Sequence, residues 1–263
     1  KIFQSAGRVN LYISMACFMQ MAEVITEIKD YANVIAGSEE VIQLPSFNWE
    51  DFFENLIKKP EMNEEEAGRI LTETFKEMYS RPEYYQILVE GRYGTQLSAI
   101  RAIYMNEFLS SVKRLSDIIP LLKDKQAISR AKKDVLRFEV GETYNDPEKL
   151  ISFYADPYHF FELIEKYYTE KNDPYFIEFK KEFEKFKNIV DKNLVIKNVF
   201  LHKDRTGKDY SNTHGISMHI PGKKGNLINY NEKEYSKLLF EKITGWSRVI
   251  EFLKIQMVNC FMN

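Results

Sequence analysis

The pattern of apolar and polar positions predicts that the chain opens with a strand that runs into a helix. Val9, Leu11 and Ile13 alternate with polar or amphipathic neighbours, and a period of two is typical of a half-buried strand. Residues 18–32 change to helical spacing, with apolar side chains on one stripe. Cys17 stands at the junction. We therefore expect its thiol at the carboxyl end of the strand and the mouth of the helix, where reactive groups collect in open α/β sheets.

Further along, short buried strands alternate with amphipathic helices, and the second half of the chain is mostly helical. The predicted strands lie at 33–38, 93–98, 194–202 and 215–220, and the predicted helices lie at 49–58, 63–79, 99–122, 125–138, 156–168, 174–191 and 235–253. The loop at 141–147 is the best candidate for a boundary between a first portion, residues 1–140, and a second portion, residues 141–263. The pattern therefore predicts the α/β class.

Composition narrows the class of partner. The 263 residues are 44% hydrophobic and 29% charged, an ordinary globular balance. The net charge of −2 argues against nucleic acid or an anionic membrane surface as the main partner. No apolar run approaches the ~20 residues of a membrane span. The chain begins at Lys1, without an initiator Met or a signal peptide and just before a buried-looking strand, so we expect it to be the downstream piece of a longer polypeptide.

Cys17 is the candidate nucleophile, because amides at a helix N-terminus favour a thiolate over a thiol. The alternative is an inert small hydrophobe, which is what a lone cysteine in an apolar context usually is. Cys260 is the other cysteine, and nothing in the sequence favours a disulfide between the two. A cysteine hydrolase also needs a histidine as base. His214, beside Gly215, is the best of the four histidines; the alternative is that all four are edge or surface residues.

Several short motifs occur in a fixed order along nearly the whole chain. They are MACFM at 15–19, IAGSEE at 35–40, QLSAI at 96–100, YADPY at 154–158, GISMHIP at 215–221 and TGW at 244–246. Together they resemble the clostripain family of cysteine peptidases, and the first resembles the family's nucleophile segment. The resemblance implies a caspase-like three-layer α/β/α sandwich. This chain would hold the part that starts at the nucleophile strand, with an added, largely helical C-terminal region that contains two strands.

The resemblance implies a cysteine endopeptidase that hydrolyses peptide bonds through a Cys-His dyad, with Cys17 as the nucleophile. Family members are commonly cleaved into a light and a heavy chain. This chain resembles the heavy-chain portion, with residues 1–140 as its catalytic part. The family's histidine lies upstream of the cysteine, and no residue here matches it. The expected partners are therefore a peptide or protein substrate and the protein's own N-terminal light chain, which would supply the histidine.

The resemblance also implies a secreted or cell-envelope location in a bacterium. No metal site and no cofactor are predicted, and a calcium requirement, which some relatives have, is left open. The alternative to the peptidase is a catalytically silent relative that keeps the fold and serves as a binding or interaction protein. The missing histidine and the methionine at position 15 motivate that alternative.

Met15 and Ala16 are the predicted substrate-binding residues. Family members that cleave after Arg or Lys have an Asp two residues before the cysteine, where its carboxylate pairs with the cationic P1 side chain. This chain has Met15 instead. Burying an unpaired cation would cost several kcal/mol, so apolar or small P1 residues are predicted unless a nearby acid replaces the missing one. The candidate acids, which the sequence does not rank, are Glu39, Glu40, Glu50 and Asp51.

Overall fold

A four-stranded mixed sheet lies at the centre of the molecule. The computed structural model describes residue 5 and residues 7–92, 94–138, 154–203, 207–222 and 232–258, with side chains described up to residue 254. The strands stand in the order β1 (Val9–Ile13), β2 (Ala32–Gly37), β3 (Thr95–Arg101) and β5 (Val195–Leu201). β1 and β2 are parallel, and the other neighbours are antiparallel. A separate short antiparallel pair joins β4 (Tyr154–Ala155) to β6 (Met218–His219).

Helices cover both faces of the sheet. On one face lie α2 (Trp49–Lys58), α3 (Glu64–Ser80) and α4 (Pro82–Gly91). On the other lie α1 (Ala22–Ile28), α5 (Met105–Ile118), α6 (Lys125–Asp134), α7 (Pro157–Tyr167), α8 (Pro174–Asn188), α9 (Glu232–Tyr235), α10 (Leu239–Thr244) and α11 (Ser247–Val258). Alternation along β2 sends Val34 and Ala36 into the first layer and Ile35 into the second, as expected of a strand buried on both faces. The predicted three-layer α/β/α arrangement is confirmed.

Helix α3 lies directly on the sheet. A Cβ at Gly68 would stand 3.1 Å from both the Ala99 Cβ and the Val34 Cγ1, so the absence of a side chain lets the helix approach this closely. Asn63 caps its start, because the Asn63 Oδ1 accepts a hydrogen bond from the Glu66 N–H at 2.9 Å. A side-chain cap thus fixes where the helix begins, and packing against the sheet stabilises it.

Some predicted boundaries are wrong. The strand predicted at 93–98 extends to Arg101 as β3, and the helix predicted from residue 99 begins only at Met105 as α5. Ala99 and Ile100 are fully buried in β3, and periodicity cannot distinguish the apolar run of such a strand from a helix. The single helix predicted at 235–253 is broken at Gly245, whose φ of 60° ends α10. Helix α4 has no counterpart among the predicted elements.

The predicted boundary at 141–147 lies outside the described residues. β5 follows that boundary in sequence and pairs with β3, with Asn198 opposite Ser98. One continuous apolar cluster also contains side chains from both sides of it, from Ala22 to Leu253. The division into residues 1–140 and 141–263 stays a prediction.

Candidate active site

Cys17 lies in a turn at residues 17–20 that follows β1, and its free thiol is half-buried. The prediction that this residue opens a helix is wrong, because α1 begins only at Ala22. Phe18 has a left-handed φ of 59°, which a continuing helix excludes. The N–H groups of Phe18 and Gln20 donate to the carbonyls of Glu40 (3.4 Å) and Ser38 (3.1 Å). The segment after β2 therefore shapes the turn at 17–20, which carries the candidate nucleophile.

The amide that faces the thiol comes from the loop after β2 and not from a helix N-terminus. The Ile42 N–H donates to the Cys17 Sγ at 3.4 Å. Because β1 and β2 are parallel, their carboxyl ends meet at the same edge of the sheet, and the chain segments that leave them can touch. Within the described residues, the backbone N–H of Cys17 has no hydrogen-bond acceptor, so it is available to a ligand.

Two exposed residues, one of them a large apolar one, come directly before Cys17. Met15 is 53% exposed and Ala16 is exposed, as expected of residues that contact a substrate, and their substrate-binding role stays a prediction. Leu44, in the same loop as Ile42, is 82% exposed. Met15 and Leu44 are thus exposed apolar side chains on the two segments that the bond between Ile42 and Cys17 brings together.

Three of the four candidate acids are engaged in a hydrogen bond or an ion pair with another residue. Glu39 is fully buried and its Oε1 accepts from the Gly215 N–H at 3.0 Å. Burial raises the pKa of Glu39 well above its usual value, and the neighbouring Asp156 carboxylate raises it further, so its neutral form is favoured. Glu40 is bound to Tyr210 and to its neighbouring amide. Asp51 pairs with Arg81 at 3.0 Å.

Glu50 is the remaining candidate. It is exposed in the first turn of α2, where a carboxylate is favoured by the helix dipole. A position at a helix N-terminus accounts for this acid without any role in substrate binding. No carboxylate described here is therefore marked by its contacts as a P1 partner.

His214 is not brought to the thiol. Its backbone N–H donates to Asp156 Oδ2 at 2.6 Å, its Nδ1 lies 3.1 Å from Asp156 Oδ1, and its ring stacks on Tyr158 at 3.8 Å between centroids. Burial is the largest single influence and lowers the pKa of His214, but the carboxylates of Asp156, Glu162 and Asp191 together raise it by more, so the net direction is upward. The hypothesis that His214 is an internal base for Cys17 has no support in this geometry.

The other histidines also have structural positions. His159 Nδ1 accepts from the Leu136 N–H at 3.0 Å, and burial lowers the pKa of His159 to about 4. Burial likewise lowers the pKa of His219 to about 3. His202, at the end of β5, meets the Tyr85 ring edge-on. Within the described residues, no histidine contacts the Cys17 sulfur.

A third segment closes the turn from the C-terminal side. The Gln20 carbonyl accepts from the Ser217 N–H at 3.0 Å, and the Ala22 N–H donates to the Ser217 carbonyl at 2.8 Å. The sequence suggested Glu40 only as a candidate P1 acid, through the acidic end of the IAGSEE motif, and it did not reveal Ile42, Tyr210 or Ser217 as parts of the site. The turn is thus held between the end of β2 and the approach to β6.

Two negative findings concern the described part of the chain. It contains no group of three or more His, Cys, Asp or Glu side chains arranged to hold a metal ion. None of its helices combines the length and apolar character needed to cross a bilayer. The expectation of a site without a metal or cofactor stays a prediction, and calcium stays open.

Comparison with known proteins bears on the fold and the family. Residues 1–252 match the sequence profile of the clostripain family. A search of curated protein sequences finds no match. Among solved structures, the chain is similar to an inactive zymogen C11 protease from Parabacteroides distasonis, with 15% identity over 91% of this chain and 60% of that chain and a TM-score of 0.60.

Two structures from Bacteroides thetaiotaomicron are also similar. One is a clostripain in complex with the peptide inhibitor BTN-VLTK-AOMK, with 12% identity over 92% of this chain and 90% of that chain and a TM-score of 0.63. The other is a secreted C11 cysteine protease in complex with an irreversible peptide inhibitor, with 15% identity, coverages of 93% and 61% and a TM-score of 0.56.

The chain thus spans 60% of the zymogen protease and 61% of the secreted protease. At these identities the likeness concerns the fold, and it confirms the predicted caspase-like architecture. The family is carried by the sequence match, which extends over residues 1–252: the chain belongs to the clostripain family of cysteine peptidases.

Proposed function

We propose that this chain is the nucleophile-bearing part of a clostripain-type cysteine endopeptidase in which Cys17 attacks the scissile peptide bond. One observation carries the proposal. The half-buried thiol lies in a turn at the carboxyl edge of a parallel strand pair, with the Ile42 N–H directed at its sulfur. An amide donor favours the thiolate, which is the nucleophilic form.

The reaction follows from the groups around the sulfur. The thiolate adds to the carbonyl carbon of the scissile bond, and the available Cys17 N–H donates to the oxyanion that forms. A protonated histidine gives its proton to the leaving amine, and the C–N bond breaks to leave a thioester. Water, deprotonated by the same histidine, then hydrolyses the thioester and releases the thiolate beside the reprotonated histidine.

We infer that the histidine comes from an upstream light chain, because the described histidines are engaged elsewhere. β1 is the edge strand of the described sheet, and Leu11, Tyr12 and Ile13 are only half-buried on it. A strand edge flanked by incompletely covered apolar side chains suits the addition of a further strand. A light chain that extends the sheet at β1 would stand beside the turn that carries Cys17.

The side chains near the thiol support an apolar or small P1 residue. Met15 and Leu44 are apolar and exposed, whereas Glu39, Glu40 and Asp51 are committed to other contacts. A cationic P1 side chain buried here would lack a charged partner. The VLTK inhibitor bound by one neighbour ends in lysine, so a preference for Leu over Lys at P1 would set this chain apart from that neighbour.

The proposed location is secreted or in the cell envelope of a bacterium. The support is one structural neighbour that is a secreted C11 cysteine protease. A substrate outside the cell would be a peptide or protein.

The test is Cys17→Ala in the full-length protein, assayed on peptides with Leu or Lys at P1. Loss of the sulfur removes the attacking atom, so hydrolysis falls to background, a drop of at least about 10³-fold. Cys260→Ala is the matched control and retains activity. The thermal midpoint of Cys17→Ala stays close to that of the wild type, because the thiol is half-buried in a turn.

Two outcomes would contradict parts of this proposal. Hydrolysis retained by Cys17→Ala would exclude this residue as nucleophile. A full-length, folded wild type that cleaves no peptide, and whose two cysteines are alkylated equally slowly, would favour the silent binding protein. Faster cleavage after Lys than after Leu would refute the P1 assignment alone.

A further inference from the structure

Glu40 connects the nucleophile turn to a distant part of the chain. Its carbonyl accepts from the Phe18 N–H at 3.4 Å, and its own N–H donates to the Ser38 Oγ at 3.0 Å. Its Oε1 accepts from the Val41 N–H at 2.6 Å, and its Oε2 is hydrogen-bonded to the Tyr210 hydroxyl. The residue is 5% exposed, so these bonds are shielded from water.

The Glu40 carboxylate sets the direction of the next peptide. Once the Val41 N–H is held by Oε1, the following N–H belongs to Ile42, the group that points at the Cys17 Sγ. The same residue holds the Phe18 N–H on the other side of the cysteine. Glu40 therefore fixes two pieces of backbone around the thiol: Phe18, which follows the cysteine, and the loop that carries the Ile42 N–H.

Tyr210 is a rigid anchor for this carboxylate. Its side chain is 1% exposed, and its ring meets Phe138 edge-on at 6.1 Å. A Cβ at Gly94 would lie 2.2 Å from the ring, so the backbone there is packed flat against it. The Tyr210 carbonyl accepts from the Thr213 N–H and hydroxyl at 3.0 and 2.8 Å. The hydroxyl consequently reaches Glu40 from a fixed position.

We propose that Glu40 and Tyr210 are positioning residues for the nucleophile, which hold the loop after β2 so that the Ile42 N–H stabilises the Cys17 thiolate. The physical reason is that an N–H donor bonds more strongly to an anionic sulfur than to a neutral thiol. Neither side chain touches the reacting atoms. The inference rests on the proposed role of Cys17 as nucleophile.

The test measures Cys17 alkylation by iodoacetamide in the full-length protein as a function of pH, resolved by peptide mass mapping, together with kcat and KM. Tyr210→Phe keeps the ring and removes the hydroxyl. We expect alkylation near neutral pH to slow about tenfold, its profile to move to higher pH, and kcat to fall by a similar factor with KM unchanged.

The second arm compares two changes at Glu40. Glu40→Ala removes both side-chain bonds and should slow alkylation at least as much as Tyr210→Phe. Glu40→Gln has the same shape, can accept from the Val41 N–H and can donate to the Tyr210 oxygen, so it should restore most of the rate. A Glu40→Gln variant as slow as Glu40→Ala would overturn the proposal, because positioning bonds would then not be what the residue supplies.

Tyr168→Phe is the matched control. Tyr168 is also 1% exposed, and its hydroxyl is bonded to the carboxylate of Asp173, far along the chain from Cys17. The change should lower stability and leave Cys17 alkylation as in the wild type. If folded Tyr210→Phe has the alkylation profile of Tyr168→Phe while Cys17→Ala has lost all turnover, the positioning role is wrong and the peptidase assignment stands.

Discussion

In the layer formed by α7 and α8, aromatic side chains do the packing. Phe176, Phe179, Phe183 and Phe186 form one stripe along α8, and all are fully buried. The turn at 17–20 is different, because it is only partly buried. Single hydrogen bonds hold it: it donates to the carbonyls of Ser38 and Glu40 and accepts from the N–H groups of Ile42 and Ser217. The first region is stabilised by the burial of apolar surface, and the second by a few hydrogen bonds with defined directions.

The two kinds of contact differ in what they contribute. Truncating a buried Phe costs about 3–5 kcal/mol of stability, whereas one hydrogen bond contributes a net ~0.5–1.5 kcal/mol. The same hydrogen bond, however, fixes a direction, and nucleophilic attack depends on direction. Stability and reactivity should therefore be separable in this molecule by substitution.

The largest expected effect is Phe183→Ala in α8. The Phe183 ring packs against Phe161 and Tyr158 at 6.1 and 5.7 Å between centroids, and its loss should lower the free energy of unfolding by about 3–5 kcal/mol. Urea unfolding measures this, and kcat below the transition should stay as in the wild type. Ile177→Ala on the same helix, 55% exposed, is the control with little change. A fall in kcat of the folded Phe183→Ala protein would show that stability and reactivity cannot be separated by substitution here.

An intermediate effect is expected for Gly94→Ala, which perturbs the turn at 17–20 indirectly, through Tyr210 and Glu40. The new methyl would overlap the Tyr210 ring, and overpacking typically costs about 1–3 kcal/mol. Because the ring carries the hydroxyl that holds Glu40, both stability and Cys17 alkylation should fall. Gly68→Ala, crowded against Ala99 on the other face of β3, should lower stability alone. Equal alkylation in the two variants would contradict this prediction.

The smallest expected effect concerns His214 and pH. Burial lowers the pKa of His214, and the carboxylates of Asp156, Glu162 and Asp191 together raise it by more, so the folded value lies above the unfolded one of about 6.5. The stabilisation is complete below about pH 6.5 and is lost as pH rises through the folded value. The glutamine amide of His214→Gln can still donate to Asp156, so the variant should lose mainly the charge-dependent part of the interaction and cost more near pH 6 than near pH 9. Urea titrations at both pH values measure the difference.

Part of the pH dependence of stability comes from a group other than His214. Burial and Asp156 raise the pKa of Glu39, so its contribution also declines as pH rises above its unfolded value of about 4.3. The His214→Gln protein should therefore keep part of the wild-type slope. A variant whose cost grows with pH would show that the His214 interaction has the opposite sign.

Elements with local signals could be predicted from the sequence. Asn63, Asp156 and Asp173 cap α3, α7 and α8 through their own side chains, and the Phe stripe of α8 has helical spacing. The end of β3 could not be predicted, because burial of a strand on both faces is decided by helices far away in sequence. The same distinction applies to the site.

Cys17 and its neighbours form a contiguous motif, so sequence alone could suggest the nucleophile. Its surroundings could not be predicted. The Ile42 amide is a backbone group with no sequence signature, and Tyr210 lies 170 residues from Glu40. Phe18 is a bulky residue in a left-handed conformation that side-chain preference opposes, and only the bonds to residues 38–40 reveal why the expected helix does not start there.

The contact between Tyr210 and Glu40 also bears on when the site can exist during synthesis. Cys17 leaves the ribosome well before Tyr210, because the hydroxyl that holds its loop is added 170 residues after Glu40. At ≈ 5–20 residues per second, that interval lasts on the order of ten seconds or more. A nascent chain thus carries Cys17 before it carries the hydroxyl proposed to position its loop, so the proposed site would not be assembled until Tyr210 has been made.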